Sequence, residues 1–180
     1  MKKIAIVGIV GLPACYGGFE SFAEQLVLRL KERFEFTVYC QKSAYSERPE
    51  KIGNVRLKYL PLNANGIQSI LYDMLAIMDS LRYCDTMLIL GVGGCPLLGL
   101  LRFFGMKKKV VVNVDGIEWK RAKWSGFAKW YLRFSEKCAV KFADEVVGDN
   151  KVITDYITDT YGKPCHLIEY GADSIAWRAE

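Results

Sequence analysis

With 180 residues, 51% of them apolar, the chain can bury a full core and reads as one globular domain. Its longest uncharged run, residues 86 to 101, is cut by Gly91, Gly93, Gly94 and Pro96 and falls short of the ~20 residues a membrane span needs. Six cysteines without a CxxC pair offer no metal site and read as buried, reduced thiols of a cytoplasmic protein, while the net charge of +5 is local: residues 102 to 141 hold eleven Lys and Arg against Asp115, Glu118 and Glu136.

Strand-like and helix-like runs alternate along the chain, the pattern of βαβ units in a mostly parallel sheet. Residues 3 to 9 read as the first strand, and residues 18 to 33, with Phe22, Ala23, Leu26, Val27 and Leu30 on one face, as the first helix. Short strands follow at Thr37 to Cys40 and Val55 to Leu60, separated by a polar loop over 41 to 54. A helix over 66 to 82 is expected to bury Ile67, Ile70, Leu71, Met74, Leu75, Met78 and Leu81. Met87 to Leu90 and Lys109 to Val114 read as strands flanking a short helix at 95 to 104. A long helix over 124 to 142, a strand at Glu145 to Val147, a helix over 149 to 161 and a last strand at Cys165 to Ile168 complete the domain.

The richest stretch runs from Val112 to Trp124, where an apolar strand stops at Asp115-Gly116 and Glu118, Trp119, Lys120, Arg121, Lys123 and Trp124 follow at once. In an open parallel sheet that edge is where ligands bind, because strand-to-helix loops leave a crevice there. A polar turn before a surface helix is the plainer alternative.

The first strand leads into Gly8-Ile9-Val10-Gly11-Leu12-Pro13-Ala14-Cys15-Tyr16-Gly17-Gly18-Phe19-Glu20. Its GxGxxG spacing fails, and the second strand ends at Gln41 rather than at an acid that would hold a ribose, which argues against a nicotinamide cofactor. Gly17 and Gly18 instead bring exposed backbone to a helix N-terminus, where a substrate or phosphate can approach closely. Gly91-Val92-Gly93-Gly94 forms a second such loop, as suited to ligand approach as to chain packing.

His166, the only histidine, has no partner at metal-ligand spacing, and no metal or nucleic acid is expected to bind. Trp119, Trp124 and Trp130 suit either stacking on a sugar or prenyl chain or helix packing. Lys129, Arg133, Lys137 and Lys141 recur every fourth residue as one helical stripe, either a solvated face or a contact for anionic headgroups. Phe127, Tyr131, Phe134, Cys138 and Phe142 are expected to face the core.

Residues 11 to 20 and 113 to 124 closely resemble the N-terminal domain of bacterial family 4 GT-B glycosyltransferases, the rhamnosyltransferase-like branch that builds capsule, exopolysaccharide or O-antigen. The resemblance spans the chain to Tyr170-Gly171-Ala172-Asp173, which looks like the hinge of that family. It implies an α/β, Rossmann-like, doubly wound and mostly parallel sheet over residues 1–170, the acceptor-binding half of the enzyme, and a hinge over 171–180 toward a C-terminal donor-binding domain. It implies retaining transfer from a nucleotide-sugar to a saccharide on a polyprenyl diphosphate, at the inner face of the plasma membrane, with no cofactor beyond that donor.

Carried over by position, Asp115 orients the acceptor hydroxyl. Gly17 and Gly18 would likewise face the donor diphosphate or the acceptor hydroxyl; from the sequence itself, Gly93, Gly94, Glu118, Trp119, Arg121 and Lys123 are expected to bind substrate, and Lys129, Arg133, Lys137 and Lys141 to contact the membrane. Two positions depart from the family pattern: Val10 stands where Arg is common, and Gly171-Ala172 follows Tyr170 where Asn is usual. A stand-alone nucleotide- or sugar-binding module, serving as subunit or scaffold of a split transferase, is the alternative reading.

Overall fold

The computed structural model describes residues 1–114, 116, 118–120 and 126–169; Asp115, Arg121, Lys123, Trp124 and the hinge segment 171–180 lie outside them, and Glu118 is described for its backbone alone. Among the described residues, eight strands form one sheet: β1 (Lys2–Val7), β2 (Phe34–Gln41), β3 (Lys51–Ile52), β4 (Val55–Leu60), β5 (Thr86–Leu90), β6 (Lys109–Val114), β7 (Glu145–Gly148) and β8 (Cys165–Leu167). Their order is β3-β4-β2-β1-β5-β6-β7-β8, and every pairing is parallel except β3 with β4. The sheet therefore grows outward in both directions from the β1/β5 pair, which creates a topological switch point between those two strands.

Among the described residues, five α-helices connect the strands: α1 (Gly18–Leu30), α2 (Gln68–Ser80), α3 (Pro96–Phe103), α4 (Gly126–Phe142) and α5 (Lys151–Tyr161). Ala23 and Val27 of α1 pack with Ile6, Phe36, Val38 and Leu57 in one core layer. Residues of α2, α3, α4 and α5, among them Ala76, Leu98, Ala139 and Ile157, pack with Val7, Met87, Val112 and Val146 in the other. Strands covered on both faces are apolar almost throughout, and each fully buried aliphatic side chain contributes roughly 1.5–3 kcal/mol. The result is a Rossmann-like, doubly wound α/β domain.

Local chemistry fixes the element ends. Asn150 Oδ1 accepts the Ile153 N–H at 3.0 Å to start α5, and Gly162, at φ +66°, stops it. Glu136 on α4 is buried and accepts hydrogen bonds from the Tyr156 and Tyr161 hydroxyls at 2.7 and 2.6 Å, which pins α5 to α4. All six cysteines are free thiols; Cys40, Cys84, Cys95 and Cys138 are buried.

Three expectations are corrected. The loop over 41 to 54 contains a 3-10 turn (Lys42–Ala44) and β3, which pairs back onto β4 through Gly53-Asn54, a two-residue hairpin with Gly53 at φ +57°. The helix α2 turns the opposite face inward: Tyr72, Asp73, Ala76, Ile77 and Ser80 are buried, whereas Ile67, just ahead of the helix, and Leu71, Leu75 and Met78 are exposed. On α4, Ser135, Cys138, Ala139 and Val140 meet the core, while Phe127 and Phe134 are exposed and stack with Trp130 at centroid distances of 5.5 and 5.9 Å. Small residues such as Ala76, Ser80, Ser135 and Ala139 let both helices lie close to the sheet beside the buried Tyr72 and Ile77, and Leu71, Leu75, Phe127 and Phe134 remain outside.

Candidate functional site

At the switch point the chain leaves β1 hard against β5. Gly8 has φ +95°, and a Cβ there would stand 2.1 Å from the Leu90 carbonyl oxygen, an approach only glycine permits. The loop from Ile9 to Gly17 is then held from beneath by two carboxylates of α1. Glu20 accepts the Val10 N–H at 2.8 Å through Oε1 and the Gly17 N–H at 2.9 Å through Oε2, and Glu24 accepts the Ala14 N–H at 3.2 Å. Tyr72 on α2 adds a hydrogen bond from its buried hydroxyl to the Ile9 carbonyl at 3.0 Å.

Above these strands opens a cavity of about 800 Å³. Its walls are the Gly8–Val10 turn, Tyr16 to Glu20, the Ala64–Ile67 loop with the first turns of α2, Leu90 to Gly93, Gly116, the first turns of α4, and Asp149. Both glycine loops thus reach one chamber at the carboxyl edge of the sheet. The volume suits a saccharide or nucleotide.

Within that frame the expected residues separate. Gly17, Gly18 and Gly93 line the cavity. Gly94 has a packing role instead: its Cβ position lies 2.5 Å from Cβ of Asp73, so a side chain there would collide with α2. Trp119 lies in a 3-10 turn (Glu118–Lys120) against α4, with the Arg133 guanidinium 5.2 Å and the Lys120 ammonium 5.4 Å from its ring, which places the indole in helix packing. Lys129, Arg133, Lys137 and Lys141 are all exposed on α4. The stripe therefore faces solvent.

Two carboxylates of the site stand outside the residues that the sequence singles out. Glu20 sits three residues after the helix N-cap Gly17, the spacing at which a glutamate reaches back to the N-cap amide, so its role was readable. Asp73 left no comparable signal. It is buried, lines the cavity, and has no hydrogen-bond partner for Oδ1 among the described residues. Burial pushes its carboxyl up to about 8, against a smaller opposing pull from the Gly94 amide. Across the chamber, the Tyr131 hydroxyl donates to the Gly93 carbonyl at 2.8 Å and ties α4 to the second glycine loop.

The architecture is similar to that of two solved synthases. The sucrose-phosphate synthase of Thermosynechococcus elongatus superposes with a TM-score of 0.71 at 13% identity over 94% of this chain and 48% of that one. A shorter piece of the same synthase gives 0.64 at 14% identity, covering 98% of this chain and 94% of the piece. The catalytic domain of starch synthase IV from Arabidopsis thaliana, solved with ADP and acarbose, gives 0.66 at 10% identity over 98% and 52% of the two chains. The chain spans about half the length of the two larger structures, and its fold is that of the Rossmann-like half of GT-B glycosyltransferases. No curated protein matches the sequence significantly. Residues 1–173 match a family described as a domain of unknown function, DUF1972, and the chain belongs to that family.

Proposed function

We propose that this domain is the acceptor-binding half of a retaining glycosyltransferase that moves a sugar from a nucleotide-sugar to a lipid-linked saccharide in the synthesis of capsule, exopolysaccharide or O-antigen. The observation that carries the reading is the single chamber at the β1/β5 switch point, into which both glycine loops open. Gly17 and Gly18 at the N-terminus of α1 offer close backbone approach, and the fold kinship with sucrose-phosphate synthase and starch synthase IV favours sugar chemistry over other uses of a doubly wound sheet.

In this reading a donor-binding domain follows residue 170, and the protein's task is to position both substrates and stabilise the leaving diphosphate. Asp115, which in sequence joins the end of β6 to the cavity-lining Gly116, orients the acceptor hydroxyl, and Glu118, Arg121 and Lys123 grip the acceptor. Calorimetric titration tests the division of labour. A lipid-diphosphate saccharide should saturate the 180-residue chain while nucleotide-sugars do not; the reverse preference would favour a stand-alone nucleotide-binding module. In the assembled two-domain enzyme, Asp115→Asn should cut turnover at least about tenfold, ~1.4 kcal/mol in the barrier. Unchanged turnover would remove Asp115 from the site.

The exposed surface fits an acceptor held at a bilayer. Among the described residues no helix is long and apolar enough to cross a membrane. The outer face of α4 carries the stacked Phe127, Trp130 and Phe134 beside Lys129, Arg133, Lys137 and Lys141, and Ile67 and Phe127 also line the cavity. Aromatic rings at headgroup depth with cations around them suit an anionic leaflet, at about 1 kcal/mol per well-placed Lys or Arg. Changing the four cations to Gln should weaken sedimentation with phosphatidylglycerol vesicles at least tenfold. Undiminished binding would exclude the stripe as the contact.

A further inference from the structure

Resting on the reading of the chamber as a sugar site, we propose that Asp73 and Ser69 of α2, together with the missing side chain of Gly93, form a notch that recognises one hydroxyl of the bound saccharide. A Cβ built on Gly93 would lie 3.1 Å from Asp73 Oδ2 and 3.9 Å from Ser69 Oγ, and all three residues line the cavity. Glycine at this position therefore leaves a space about one atom wide, bordered by a carboxyl and a hydroxyl. Positive φ does not explain the glycine, because Gly93 is not among the residues with that conformation.

The carboxyl is unusual in its surroundings. It is nearly sealed from solvent, no cation pairs with it among the described ion pairs, and Oδ1 has no hydrogen-bond partner there. Buried polar groups are rarely left unpaired, because an unmade hydrogen bond carries a desolvation cost, and here the carboxyl has its Oδ1 unpartnered while its Oδ2 borders the notch. Charge narrows the class of ligand. No Lys or Arg is among the described residues that line the cavity and could hold a phosphate, and two oxygen-bearing side chains are too few for a metal. An alcohol, which both donates and accepts, satisfies a carboxyl in either protonation state. Ser69 Oγ donates to the Gly66 carbonyl at 2.7 Å and so presents its lone pairs as acceptors.

Saturation-transfer NMR on the 180-residue chain, with a panel of free hexoses, 6-deoxyhexoses and N-acetylhexosamines, tests the notch. Asp73→Leu, which fills the volume without hydrogen bonding, should weaken the best-bound sugar at least tenfold, while Asp73→Asn, which still donates and accepts, should stay within threefold. Gly93→Ala, which leaves Asp73 in place and blocks the space, should weaken it similarly and guards against misfolding of the leucine variant. A deoxy analogue lacking the recognised hydroxyl should bind wild type and Asp73→Leu equally. Equal sugar binding by wild type, Asp73→Leu and Gly93→Ala would overturn the notch and leave the sugar site standing. Wild-type protein that binds no saccharide would overturn both.

Discussion

Glu20→Ala should lower the unfolding midpoint by roughly 10 °C and abolish acceptor binding together with it. The carboxylate holds the N–H groups of Val10 and Gly17, at the two ends of the first loop, and it is buried with Val10. A hydrogen bond to a charged acceptor contributes about 1.5–3 kcal/mol, and water can replace part of the loss only at the half-buried Gly17, so about 3 kcal/mol is expected overall. A domain of this size loses roughly 2–4 °C per kcal/mol. Glu20→Gln should fall between, because its one amide oxygen can accept from one backbone N–H while its NH2 group opposes the other. Thermal unfolding of the three proteins checks the order. A midpoint for Glu20→Ala within a degree of wild type would show that the loop holds its shape without this clamp, and the backbone of Gly17 and Gly18 would then not depend on α1.

Much of the fold is legible in the sequence because apolar runs bounded by breakers admit one reading. Val55–Leu60 and Lys109–Val114 are strands with the bounds their sequences suggest, and the βα alternation fixes the parallel sheet. The orientation of α2 is not legible. That helix is apolar on nearly all sides, so periodicity selects the face with the larger residues, Leu71, Leu75 and Met78, whereas packing selects the one with Ala76, Ser80 and Asp73, which fits against Gly94. The same inversion hides Asp73, since an acid in an apolar helix looks like a solvent-facing residue. On α4 the error has the same origin. Core-facing Ser135 and Ala139 contribute little to an apolar count, and Phe127 and Phe134 dominate it from outside.

Asp73 also gives the domain a pH-dependent stability that no surface ion pair can imitate. Its carboxyl is raised to about 8, chiefly by burial, against an ordinary value of 3.8 in the unfolded chain. Below pH 4 both states hold the proton and the group has no pH-dependent effect. Between pH 4 and pH 8 the unfolded chain releases the proton while the folded one keeps it, so the unfolded state gains and stability falls as pH rises. Above pH 8 both are ionised and the loss is complete. Each unit of separation is worth about 1.4 kcal/mol, and even partial relaxation of the site leaves an effect of several kcal/mol. Asp73→Asn resembles the protonated acid and can still accept the Gly94 N–H, so it should match wild type at pH 3.5 and exceed it in unfolding midpoint by about 5 °C or more at pH 8. Paired melts across that range decide the matter: a constant difference between the two proteins would mean that the carboxyl ionises freely in the folded state, with water or an ion reaching Oδ1.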